Sequence, residues 1–235
     1  MQPSKINQYK PKMSRFSIVS LFFVSLAMLS FVPANKEKDK VVTKLLKDVS
    51  KKYKAYKTLK ADFTMLNEPA DAKAPKKTEK GTLYSKGNSF KLIFGGQDIF
   101  CDGKTIWTYT KETNECIKDN YNPNSGSGLN PSKIFTVWEK GFLYASDGSY
   151  KKGSSEIARV KLTPTDKTKP YYLMNLEVDQ NAKTVQNLKV SFKAGNKQTY
   201  TVTAQTPNAA MDDKIFSFNA AEYPGVEMID LTRKK

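Results

Sequence analysis

The sequence predicts a mainly β (α+β) protein: eleven antiparallel strands in one domain, forming a strongly curved sheet or incomplete barrel with helices laid against one face. Three observations lead there. Short runs of period two recur along most of the chain between turn residues, only two stretches carry a helical period, and 235 residues suffice for a single β domain with a sizeable core.

In chain order, Lys5, Lys10, Lys12 and Arg15 precede a run from Phe16 to Phe31 without a charged residue, and Val32-Pro33-Ala34 precedes the polar Asn35-Lys36-Glu37. A basic start, an apolar stretch and small residues before a polar turn predict a signal peptide over 1–34 that is cleaved after Ala34. The run is too short, and too rich in serine, for a spanning helix of about 20 apolar residues. The expected product is a periplasmic domain over 35–235, unlipidated at its start because no cysteine lies near the cleavage point.

Over 37–57, Val41, Val42, Leu45, Leu46, Val49, Tyr53 and Tyr56 recur at three- and four-residue spacings among lysines, which predicts an amphipathic helix. From Leu59 the period is two, with Leu59, Ala61, Phe63 and Met65 alternating with polar residues, so a strand begins. Further strands are expected near 79–86, 89–94, 97–101, 104–110 and 115–119, where Gly95-Gly96 and Asp102-Gly103 suit two-residue hairpin turns. Tyr121 to Gly128 reads as a loop and Asn130-Pro131 as a capped helix start, with Ile134, Phe135, Val137 and Trp138 on its apolar side. Strands resume near 142–150, 155–163, 171–179, 185–193 and 197–206, and Asp212-Asp213 opens a short helical turn before Ile215.

Charge and composition narrow the function. The chain has 39 Lys+Arg against 23 Asp+Glu, a formal +16. Four of those basic residues and no acidic ones lie in 1–34, leaving +12 on the mature chain. The lysines are scattered rather than striped and an exported protein seldom meets nucleic acid, so that partner is set aside. Anionic headgroups or an acidic partner fit the charge better. Histidine is absent, which removes the usual triads, HExxH zinc sites and imidazole acid–base chemistry. Gly126-Ser127-Gly128 lacks a dinucleotide fingerprint. Neither catalytic machinery, nor a metal site, nor a cofactor is expected.

Hairpin register yields a candidate wall. With Gly95-Gly96 and Asp102-Gly103 as two-residue turns, Leu92 faces Ile99 and Ile99 faces Ile106. Phe90, Leu92, Phe94, Ile99 and Ile106 then share one face, and Phe100, Trp107 and Tyr109 the other. Taking Lys111 to Asn114 as the next turn sets Cys116 opposite Tyr109 and Cys101 opposite Lys104, on opposite faces. The two thiols are expected to stay free.

Three pieces occur in order: Gly81-Thr82-Leu83-Tyr84-Ser85-Lys86; Asp102-Gly103-Lys104-Thr105-Ile106-Trp107; and Phe216-Ser217-Phe218 followed by Pro224-Gly225-Val226-Glu227-Met228-Ile229-Asp230. Together with the early amphipathic helix and the Asn-Pro-opened helix in mid-chain, they resemble the LolA family, the periplasmic outer-membrane lipoprotein carriers, over residues 37–230. No single piece is specific; their order and spacing carry the resemblance. It implies an eleven-stranded unclosed barrel with a helical lid over a hydrophobic cavity for lipoprotein acyl chains. The cavity wall would combine Phe63 and Leu83 with the register set, and the lid would bring Val49, Tyr53, Ile134 and Phe135. Implied partners are acylated lipoproteins, an inner-membrane lipoprotein-releasing ABC transporter and, left open, an outer-membrane receptor; the carrier is expected to be a monomer. Where the family has an arginine that latches the lid, after the lysine matching Lys86, this chain has Gly87. Two other readings stand beside the carrier: an envelope-stress sensor that binds lipoprotein or lipopolysaccharide, and a hydrolase acting on envelope lipids or glycans.

Overall fold

Lysines fill the positions that the apolar stripe of the first helix leaves to solvent. In the computed structural model, which describes residues 36–123 and 130–232, helix α1 spans Lys36–Ala55. It buries Val42, Leu45, Leu46, Val49 and Tyr53 in the main core. Val41, expected on that stripe, is 59% exposed: it falls one position off the 42–45–46–49–53 face. Each fully buried aliphatic side chain contributes about 1.5–3 kcal/mol, which is what holds a helix this rich in lysine against the sheet. The expected signal peptide, its cleavage site and the Gly126-Ser127-Gly128 segment lie outside the described residues. No described helix is long and apolar enough to cross a membrane.

One sheet follows. Strands β1 (Leu59–Glu68), β2 (Lys77–Lys86), β3 (Ser89–Phe94), β4 (Gln97–Cys101), β5 (Thr105–Thr110) and β6 (Glu115–Asn120) precede the lid. After it come β7 (Phe142–Lys152), β8 (Ser155–Pro164), β9 (Tyr171–Asp179), β10 (Thr184–Phe192) and β11 (Lys197–Pro207). The eleven expected strands are all present, and β12 (Glu227–Asp230) adds a twelfth. The order is β12-β6-β5-β4-β3-β2-β1-β11-β10-β9-β8-β7. Strand β1 pairs with β2 on one side and β11 on the other, so two meanders meet at the centre, and the edges β12 and β7 do not pair with each other. The sheet is therefore open. Bulges at Asp62/Phe63, Ser146/Ser149 and Val185/Asn187 add local bend and twist.

The lid segment, Pro131–Glu139, is 3-10 helix with a break at Thr136. Asn130 caps it by accepting from Ser132 N–H, and proline fills its first turn, as the sequence predicts. Behind β4–β6, the turns Asp213–Phe216 and Ala220–Glu222 bring Phe218 and Tyr223 onto Phe100 and Tyr109. This small outer core covers the sheet face that does not look into the barrel.

One register differs from expectation. Gly95-Gly96 turns with both φ positive, at 59° and 77°, and places Leu92 opposite Ile99. The next hairpin turns at Gly103-Lys104 instead of Asp102-Gly103: Asp102 N–H donates to the Thr105 carbonyl, and the Asp102 carboxylate accepts from the N–H groups of Lys104 and Thr105. Ile99 thus faces Thr108, and Cys101 faces Ile106. The shift is of two residues, so every side chain keeps its face. Cys116 does face Tyr109, and the two buried cysteines lie on opposite faces.

Candidate functional site

The period-two alternation of strands on both sides of β1 turns apolar side chains toward one partly open cavity. It has a volume of about 150 Å³. Ala61 and Phe63 of β1, Leu83 of β2, Leu92 and Phe94 of β3, Val185 and Leu188 of β10, and Tyr200 and Val202 of β11 form its walls, and Pro131, Ile134 and Phe135 of the lid form its roof. The tyrosine hydroxyl is the single polar side-chain group in this lining, and it donates to Gln198 Oε1 at 2.9 Å. Burial raises the Tyr200 pKa. A space with so few polar partners does not favour water and accepts apolar matter.

Phe63 is seated by a glycine. A Cβ built on Gly81 would stand 2.4 Å from Phe63 Cζ, so the ring lies flat against the bare backbone of β2. From there it contacts Phe94 and Tyr200, with centroids 5.7 and 6.2 Å away.

Four of the seven wall residues named from sequence, Phe63, Leu83, Leu92 and Phe94, line the cavity, as do two of the four lid residues, Ile134 and Phe135. The others stand beside it. Phe90, 1% exposed, packs with Leu83, Cys101, Ile99 and Ile106 further along the same sheet face. Val49 is buried on the inner face of α1, and Tyr53 stacks on Phe135 with centroids 4.8 Å apart and planes 6° from parallel. Ala61, Pro131, Val185, Leu188, Tyr200 and Val202 also line the cavity but are not among the wall or lid residues named from sequence. Their strands were legible, but no hairpin register reaches from β3 to β10 and β11.

The roof is held by contacts that do not involve Gly87. With φ of 60°, Gly87 occupies a two-residue turn between Lys86 and Ser89. Its neighbour Asn88 accepts from Lys133 Nζ of the lid at 3.1 Å. At the lid's other end, Trp138 Nε1 donates to Ser50 Oγ at 2.9 Å, and Lys54 pairs with Glu139 at 2.6 Å. Tyr53 ties α1 to the sheet: its hydroxyl donates to Gln205 Oε1 at 2.8 Å and accepts from Val185 N–H at 3.0 Å. Burial pushes its pKa up to about 12. Lys86 itself reaches Asp213, 2.6 Å away.

Burial pushes both thiols up to about 11, far from a reactive thiolate. Among the described residues no cluster of three or more His, Cys, Asp or Glu is placed to hold a metal ion.

The fold and site define a class: an open half-barrel with a roofed apolar cavity. The model of the family described as outer membrane lipoprotein carrier protein LolA matches residues 54–219, and the chain belongs to that family. The match is narrower than the 37–230 over which the motifs run. No curated protein sequence matches the chain. Among solved structures, an uncharacterized conserved protein from Thermus thermophilus superposes with a TM-score of 0.54 at 10% identity, covering 81% of this chain and 99% of that one. A LolA superfamily protein from Nitrosomonas europaea gives 0.42 at 12% identity, covering 75% and 97%. A putative outer membrane lipoprotein-sorting protein domain from Vibrio parahaemolyticus gives 0.42 at 11%, covering 74% and 94%.

Proposed function

We propose that this chain is a periplasmic carrier: it takes up the acyl chains of lipoproteins released from the inner membrane by an ABC transporter and delivers them to the outer membrane. The observation that carries the reading is the cavity of about 150 Å³, walled and roofed almost wholly by apolar side chains in a chain of the LolA family. Acyl chains need apolar surface rather than chemistry, and each buried CH₂ contributes about 0.8 kcal/mol. Export through a signal peptide over 1–34 puts the mature domain, 35–235, in the compartment where such cargo has to cross water. In this reading Phe63, Leu83, Leu92 and Phe94 touch the cargo, Ile134 and Phe135 move with the lid, and Phe90, Ile99, Ile106, Val49 and Tyr53 support them.

The test is native mass spectrometry of the purified protein with a triacylated peptide. One-to-one binding that Leu92→Glu abolishes, with unchanged β-sheet circular dichroism, is the expected result. Failure of the wild-type protein to bind any acylated species removes the carrier reading. Phe90→Glu is not the variant to use, because at 1% exposure a charge there would disturb the fold itself.

A further inference from the structure

A second concavity, of about 800 Å³, lies between α1, the end of the lid segment and β7. Buried Leu46 and Trp138 and half-buried Phe142 and Tyr144 supply its apolar surface. Lys47, Lys51, Lys54 and Lys140 stand around it. Glu139, the one carboxylate in this lining, is already held by Lys54 at 2.6 Å. The other three lysines are exposed and have no ion-pair partner among the described residues.

Beside this groove runs an unpaired strand edge. Strand β7 is last in the sheet order. Thr165 N–H donates to the Gly141 carbonyl at 2.9 Å, and Phe142 lies opposite Pro164. Bonded and unbonded pairs alternate in an antiparallel ladder, so Phe142, Tyr144 and Ser146 point their N–H and C=O groups away from β8. Among the described residues these groups have no backbone partner. The far half of β7 carries the usual edge protection, a bulge between Ser146 and Ser149 and the charges of Asp147, Lys151 and Lys152. The half from 142 to 146, Phe-Leu-Tyr-Ala-Ser, has no charge, proline or bulge, and its Leu143 is 68% exposed.

We infer that the 142–146 edge and the lysine-rimmed groove together receive an extended acidic segment of a partner protein, which adds to the sheet as a further strand. The backbone edge would supply the ladder bonds, and the groove would take every second side chain. Spacing agrees with this. Lys47 and Lys51 stand about 6 Å apart along the helix axis, at 1.5 Å per residue, and alternate residues of a strand about 6.6–6.8 Å apart. The two repeats are thus of similar length, so carboxylates at alternate positions of an added strand have a spacing comparable to that of lysines one helical turn apart. A bilayer would need these apolar groups to protrude; here they are recessed between the helix and the strand. The inference does not depend on what the cavity carries.

The probe is a fluorescein-labelled octapeptide alternating Glu and Val, compared with its Lys/Val counterpart by fluorescence anisotropy on the purified protein. The acidic peptide is expected to bind at least about tenfold more tightly. In the 15N-labelled wild type it should shift the amides of Phe142, Tyr144 and Ser146 more than those elsewhere in the sheet. Lys47→Glu combined with Lys51→Glu, both on the exposed side of α1, should remove the preference while circular dichroism stays unchanged. No binding at about 1 mM peptide, equal binding of the two peptides, or shifts that avoid 142–146 would each overturn the inference. So would competition by phosphatidylglycerol vesicles for the same lysines with no shift in the β7 amides, which would make the groove a membrane contact.

Discussion

At the residue scale, Gly81 and Phe63 act as one unit. The missing side chain lets the ring lie on β2, and the ring then forms the floor on which Phe94 and Tyr200 rest. Gly81→Ala puts a methyl group where Phe63 now sits, and the ring has only the cavity to move into. The expected cost is about 1–3 kcal/mol, typical of overpacking, read as a lower urea midpoint, together with weaker binding of the fluorescent acid 11-dansylaminoundecanoate. A stability loss with unchanged dansyl binding would show that Phe63 is structural only. Tyr53 offers a second test at this scale. The unfolded chain releases a tyrosine proton near pH 10, whereas the folded protein holds that of Tyr53 to about 12. The stabilisation is whole below pH 10 and lost as pH rises toward 12. Tyr53→Phe should therefore flatten the fall of the urea midpoint between pH 10 and 12, while costing about 1 kcal/mol at pH 8 through its lost hydrogen bonds. Phe63 was legible in the sequence because it falls in the alternation opened by Leu59. The role of Gly81 was not, since a close cross-strand approach has no local signature.

At the scale of elements, the lid is fastened at both ends and breaks in the middle. Its Trp138 end is buried, and its Lys133 end is tied to Asn88 through an exposed hydrogen bond. These contacts are unequal: an exposed polar tie is worth at most about 1 kcal/mol, whereas truncating a buried tryptophan costs about 3–5 kcal/mol. On the proposed carrier reading the lid is a flap hinged at Trp138 and released at its Lys133 end, where Asn130 Nδ2 also donates to the Tyr121 hydroxyl at 2.8 Å. Lys133→Ala should speed uptake of the dansyl acid in stopped flow about two- to fivefold with little change in thermal midpoint. Trp138→Ala should lower the midpoint markedly. An uptake rate insensitive to Lys133 would place the moving end elsewhere. The sequence showed the cap and proline that start this element, because Asn130-Pro131 is a local signal, but not the 3-10 geometry or the break at Thr136. It likewise places the β4–β5 turn one residue early, which shifts the pairing by two: Asp102, read as a turn residue, uses its carboxylate to hold the N–H groups of Lys104 and Thr105 from just outside the turn. The short β12 was missed because it pairs parallel to β6 across more than a hundred residues, with no hairpin to announce it.

Across the described residues, the two meanders are joined through the β1–β11 pairing, and the edge strands β12 and β7 have no further strand beside them. Local alternation revealed every strand of both meanders; how they meet depends on contacts between residues 59–68 and 197–207, beyond the reach of any turn. That is why the β3 side of the cavity was readable and the β10–β11 side was not. The volume of about 150 Å³ sets a physical scale, since a cavity of about this size holds one benzene-sized molecule, about six carbon atoms. A lipoprotein acyl chain is longer, so a carrier built this way has to enlarge its cavity as it loads, by raising the lid or spreading the meanders. Isothermal titration with saturated fatty acids from six to sixteen carbons reads this directly. Affinity should rise about fourfold per added methylene, as expected for about 0.8 kcal/mol of burial each, and continue past the length that the cavity holds at this volume. The heat capacity change should grow more negative with chain length as apolar surface leaves water. A plateau at six to eight carbons would mean that the cavity keeps its present volume, and acyl-chain carriage would then be excluded.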